Sequence, residues 1–127
     1  LEDSVASVLA PNTVPADYVR RIAAPLALRP RNFLDNVEDM NRLSEYMQTL
    51  STRYDEVGLP LLLIHGESDT LVPFWNHGRR LLPVIPQTEL VLLPQTGHAP
   101  HHAHPAAVVR AIDSFYRSVT ELAAEAG

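Results

Sequence analysis

The chain changes character at Gly58. Before it, apolar residues recur at helical spacing; after it, unbroken apolar runs alternate with polar, Pro-rich turns. In the first part, Asp3 is expected to cap a short helix that runs through Leu9 and ends at Ala10-Pro11-Asn12. Pro15 fits a first helical turn ahead of Tyr18, Val19, Ile22 and Ala23. Pro25 and Pro30 break that pattern and leave Leu26 to Arg29 as a connector. The clearest helix follows, with Asn32 as its N-cap and Asp35 in its first turn. Phe33, Val37, Met40, Met47 and Leu50 form its apolar stripe, which reads as core or as the interior of a cap.

Leu59 to His65 is a near-continuous apolar run, the pattern of a strand covered on both faces, with Pro60 tolerated near its first residue. Val72-Pro73 opens a predicted helix that reaches about Pro83, and Glu89 to Leu93 is a second strand. Strand, crossover helix and strand make a parallel pair. Pro105 opens a final helix carrying Val108, Ile112, Phe115, Val119 and Leu122 on one face. Two parallel strands need neighbours on their edges and cover on their faces, so the chain reads as a piece of a larger sheet. Its beginning at Leu1, without Met, fits that expectation.

Composition narrows the classes. At 127 residues with 46% hydrophobic and 20% charged positions, the chain can build one small domain with a core. Leu59 to Ile64 is its longest apolar run, far short of the roughly 20 residues of a membrane-spanning helix. A formal charge of −5 and a pI near 5.6 argue against a nucleic-acid partner. The absence of cysteine excludes disulfides, thiolate catalysis and cysteine metal sites.

The chemistry concentrates after the two strands. Gly66-Glu67-Ser68-Asp69 follows the first, and Thr96-Gly97-His98 follows the second. If the strands are parallel neighbours, Asp69 and His98 leave the same edge of the sheet, and strands lie roughly 5 Å apart. An imidazole held by a carboxylate on one nitrogen can take a proton at the other. Asp is also a common turn residue, and Asp69 alone would be read that way; its pairing with Gly97-His98 changes the reading. Glu67 and Ser68 read as turn residues and Trp75 as packing. His101, His102 and His104 have no acidic residue or cysteine beside them, so a metal site is not expected there.

From Leu59 to Tyr116 the chain resembles the C-terminal half of an α/β-hydrolase. The resemblance rests on Leu-Leu-Leu-Ile-His-Gly-Glu-Ser-Asp-Thr-Leu-Val-Pro at 61–73 and Leu-Pro-Gln-Thr-Gly-His-Ala-Pro-His-His-Ala-His-Pro at 93–105. Leu28-Arg29-Pro30 and the segment from Phe33 to Tyr54 resemble the cap that this superfamily inserts before its last core strands. The implied organisation is a helical cap segment over 1–57 and, over 58–127, the last two parallel core strands with crossover and C-terminal helices. The implied fold class is α/β, as a partial α/β-hydrolase fold. The resemblance makes Asp69 the catalytic acid and His98 the general base, with no cofactor.

In that superfamily the nucleophile precedes the acid in a G-x-S-x-G turn. No glycine occurs before Gly58, so this chain lacks that turn, and the nucleophile (Ser, Asp or Cys) is expected on a complementary N-terminal half. The expected activity of the full-length protein is hydrolysis of an ester or related bond in a small, rather apolar substrate. The isolated chain is expected to be inactive, and to associate with its N-terminal half or with itself. The alternative is a non-catalytic fragment or interaction domain that retains the second half of the fold.

Overall fold

The computed structural model describes residues 1–125, which short polar turns and Pro residues divide into six α-helices and two strands. Helix α1 (Glu2–Leu9) begins after Leu1 with no side-chain cap; Asp3 lies in the first turn beside Glu2, where negative charge complements the helix dipole. Helix α2 (Tyr18–Arg21) is a single turn after Asp17, whose φ of 60° is left-handed. Ala24–Leu28 forms a 3-10 turn.

Helix α3 (Pro30–Ser51) starts three residues earlier than an N-cap at Asn32 implies. Pro30 occupies the first helical position, where its missing N–H costs nothing and its φ is already helical. Asn32 is therefore inside the helix rather than capping it, and its side-chain amide donates to the Leu26 carbonyl at 2.9 Å. The expected stripe is not covered by the chain: Phe33 is 50% and Met40 61% exposed, and Val37, Met47 and Leu50 are exposed with them.

Strands β1 (Leu61–Gly66) and β2 (Thr88–Leu93) are parallel neighbours, paired from Leu61 with Thr88 to Gly66 with Leu93. Gln87 holds the entry to the pair by donating its side-chain amide to the Val57 and Leu59 carbonyls. Leu61 to Ile64 are only half-buried, and Leu59 lies outside the strand and exposed. The expectation of a strand covered on both faces fails because two strands are too narrow a platform for the helices around them to close over.

The crossover also departs from expectation. Asn76, His77 and Gly78 are poor helix formers, so the chain makes a 3-10 turn (Phe74–Asn76), breaks at His77 and restarts as α4 (Gly78–Leu81). Trp75 is exposed rather than packed. Helix α5 (Pro100–Ala103), which no pattern announced, precedes α6 (Pro105–Glu125), and both touch β1. The half-buried face of α6 runs through Val108, Ala111, Phe115 and Val119, leaving Ile112 and Leu122 exposed. No helix among the described residues is long and apolar enough to cross a membrane.

The most completely buried apolar cluster lies away from the middle of the sheet. Leu9, Tyr18 and Ala99 form it, with Val5 against them. It joins the first turns of the chain to the loop beyond β2.

Candidate active site

Both titratable residues singled out in the sequence sit past the carboxyl ends of the strand pair, where open α/β sheets carry their sites. The β1 ladder continues one residue into the turn, since the Glu67 amide donates to the Leu93 carbonyl at 2.9 Å. The Ser68 amide then donates to the Thr96 carbonyl, also at 2.9 Å. Gly66 lets these loops approach: a Cβ there would collide with the carbonyl oxygens of Thr96 and Gly97.

Asp69 closes its own turn. Its Oδ1 accepts the amides of Leu71 at 2.9 Å and Val72 at 2.8 Å, a side-chain mimic of a backbone turn. Its Oδ2 lies 2.9 Å from His98 Nδ1. A carboxylate can only accept, so Nδ1 carries a proton and donates; in the neutral ring Nε2 is then the nitrogen with the lone pair. The Asp69 side chain is 4% exposed and that of His98 37%, so the carboxylate is sheltered while the imidazole still reaches outward.

Burial by itself pushes the Asp69 carboxyl upward. The hydrogen bonds from Val72 and His98, the charge of His98 and the Leu71 amide together outweigh burial and hold it below the usual carboxylate range. Asp69 is therefore ionised at neutral pH, the form that fixes the His98 tautomer.

His98 is held by a segment near the start of the chain. Its amide donates to the Val8 carbonyl at 3.2 Å. Asn12 brackets the loop, accepting the Gly97 amide on Oδ1 at 2.9 Å and donating Nδ2 to the Gln95 carbonyl at 3.0 Å. A Cβ on Gly97 would collide with the Ala10 carbonyl, so glycine is required by the closeness of the two segments. Between them, Thr96 is fully buried with its hydroxyl donating to the Pro94 carbonyl at 2.9 Å.

Sequence reasoning missed Asn12, Val8 and Thr96. Pro11-Asn12 was legible as a helix stop, but nothing local links Asn12 to Gln95, 83 residues away. Among the described residues no hydroxyl lies within hydrogen-bond distance of His98 Nε2. A cavity of about 740 Å³, bordered by Ala6, Val14, Tyr18 and Leu26, has neither Asp69 nor His98 in its wall.

Comparison with known proteins gives these residues a context. The chain is 31% identical over 106 residues to "Putative carbamate hydrolase RutD" of Pseudomonas syringae pv. syringae, a match covering 80% of this chain and 40% of that protein. It is 34% identical over 80 residues to the pimeloyl-[acyl-carrier protein] methyl ester esterase of Klebsiella pneumoniae, covering 58% of this chain and 29% of the esterase. A biotin biosynthesis bifunctional protein, BioHC, of Teredinibacter turnerae is 43% identical over 58 residues, 46% of this chain and 10% of that protein. The chain thus spans well under half the length of these relatives. No family model matches it, and no solved structure matches at a significant level. The relatives are hydrolases of one superfamily, and the fold is a mixed α/β arrangement with a parallel strand pair. The chain belongs to the α/β-hydrolase superfamily and carries a part of that fold.

Proposed function

We propose that this chain supplies the acid–base portion of an α/β-hydrolase, with Asp69 as the acid and His98 as the general base. The observation that carries the reading is the 2.9 Å contact between Asp69 Oδ2 and His98 Nδ1, made by a buried carboxylate to an imidazole whose Nε2 remains free. In this reading a nucleophile from a segment outside the 127 residues approaches Nε2. His98 takes its proton as it attacks the substrate carbonyl, and Asp69 stabilises the imidazolium that forms. The same proton passes to the leaving group, and His98 then activates the water that releases the covalent intermediate.

The substrate class is an ester or a related acyl bond of a small, rather apolar molecule. Support comes from the relatives, whose names describe a methyl ester esterase and a carbamate hydrolase. Residues 1–57 would act as a cap segment and 58–127 as core, although Val8 and Asn12 also brace the His98 loop. The chain alone would be inactive, because removing a nucleophile removes most of the acceleration.

A chimera tests this. The matched region of the carbamate-hydrolase relative is replaced by this chain, and hydrolysis of activated esters and carbamates is assayed. Turnover lost in His98→Ala and Asp69→Ala, with none from the 127-residue chain by itself, is expected. A folded chimera whose turnover survives His98→Ala would overturn the reading, as would robust turnover by the chain alone.

A second reading, a non-catalytic interaction domain, draws on the uncovered apolar stripe of α3. It predicts a folded chimera with no turnover and binding of a partner through that stripe.

A further inference from the structure

A second imidazole stands behind the Asp69 carboxylate. His65, on β1, places Nε2 3.0 Å from the Val72 carbonyl oxygen and 3.6 Å from Asp69 Oδ2. A carbonyl only accepts, so His65 Nε2 carries a proton and donates it. The ring is 12% exposed and lies against Phe74, with centroids 5.4 Å apart, so it is a packed group and not a solvated one.

Val72 is thereby gripped on both sides. Its amide donates to Asp69 Oδ1 at 2.8 Å, while its carbonyl accepts from His65. Rotation of the Val72 segment would release Oδ1 and with it the orientation of the carboxylate. The grip returns the chain from the far side of the turn to the strand from which it left.

We propose that His65 is a positioning residue: through its Nε2–H it latches the 69–72 turn to β1 at the Val72 carbonyl and so keeps Asp69 Oδ2 aimed at His98. The inference rests on the reading of Asp69 and His98 as an acid–base pair, and it assigns opposite tautomers to two histidines around one carboxylate. His65 is Nε2–H and His98 is Nδ1–H.

Nitrogen-15 imidazole spectra of the intact 127-residue chain, recorded where both rings are neutral, test it. The wild type is expected to show that opposed pair of tautomers. In His65→Leu the donor is gone, and the ratio of Nδ1–H to Nε2–H at His98 is expected to fall by about three- to tenfold, the range for one lost hydrogen bond. His65→Gln retains an N–H donor for the Val72 carbonyl and is expected to restore the ratio, which mere filling of space would not do. An unchanged His98 ratio in folded His65→Leu would overturn the proposal. So would wild-type His65 found as Nδ1–H, a result that holds even if the Leu variant does not fold. Because the readout is a tautomer and not turnover, a failed hydrolase assay with the tautomer pattern intact would reject the catalytic reading alone.

Discussion

The Ser68 amide donates to the Thr96 carbonyl at 2.9 Å, and this bond ties the turn that carries Asp69 to the loop that carries His98. The acid and the imidazole meet because their loops are joined one residue before the acid and two before the imidazole. Glycine at 66 permits the approach. In Gly66→Ala the added methyl must displace the Thr96 and Gly97 carbonyls, and backbone cannot yield as a flexible side chain would. The expected result is a loss of about 1–3 kcal/mol in stability, the usual range for overpacking, with weakening of the His98 Nδ1–H signal. Urea unfolding with imidazole spectra measures both, and an unchanged midpoint would show that the loops are free to part.

Replacing Asp69 by Asn preserves the shape of the turn and removes the charge. The Asn side-chain oxygen can still accept the Leu71 and Val72 amides, which leaves its NH₂ facing His98 Nδ1. His98 is then expected to switch to the Nε2–H tautomer, presenting a donor where a base needs a lone pair. In an active chimera kcat is expected to fall about 10⁴-fold, the scale known for this change in a serine protease. A kcat within tenfold of the parent would remove Asp69 from the acid's role.

Acid should weaken the fold through the same residue. The Asp69 carboxyl is held below the ordinary range when folded, so its contribution to stability is complete above its unfolded value of roughly 4. That contribution is lost as pH falls through the lower folded value, because the unfolded chain takes up the proton first. Urea midpoints followed from pH 6 downward should drop below about pH 4. The part of the drop due to this residue should vanish in Asp69→Asn. Parallel wild-type and variant curves would show that Asp69 is not perturbed.

Asn12 is the third support of the His98 loop. Asn12→Ala removes the acceptor of the Gly97 amide and the donor to the Gln95 carbonyl together. A cost of about 1–3 kcal/mol is expected, mainly for leaving the buried Gly97 amide unpaired. Amide exchange at Gly97 and His98 should accelerate while the β1–β2 ladder stays protected. Uniform acceleration across the ladder would mean that Asn12 supports the whole fold and not this loop.

The uncovered stripe of α3 leads to a concentration effect. Phe33, Val37, Met40, Met47 and Leu50 are exposed on one helix, and each free edge of the strand pair can recruit another strand. The isolated chain is expected to sediment as more than a monomer at tens of micromolar, an order of magnitude at which exposed apolar surface commonly associates. Val37→Glu with Met40→Glu should shift it toward monomer with little change in unfolding midpoint. A cooperatively folded wild-type monomer at that concentration would contradict this.

What the sequence disclosed followed from local patterns. The strands observed at Leu61–Gly66 and Thr88–Leu93 were visible in outline, as Leu59 to His65 and Glu89 to Leu93, because apolar runs bounded by Pro and Gly have few other readings, and the pairing of their exits followed from parallel geometry. Pro105 marked the start of α6. Hidden features depend on partners or on competing local choices. Asn32 looks like a cap until Pro30 takes the first helical position. Asn76-His77-Gly78 halts a helix that the flanking leucines suggest. Asn12 and Val8 reach the His98 loop only in three dimensions, and His65 reads as one more strand residue until Val72 folds back onto it.

The embrace of the 95–98 loop by residues 8–12 has a kinetic meaning. The strand pair can form from residues within one crossover, but the bonds from Asn12 and Val8 close a loop of more than 80 residues, and closure of that length must be paid for in entropy before the contacts repay it. The His98 loop should therefore be among the last regions to order and the first to open below global unfolding. A chain shortened by a dozen residues at its start should keep its ladder yet lose the fixed imidazole. The residues most distant in sequence from the chemistry would thus set the fraction of time for which the chemistry is assembled.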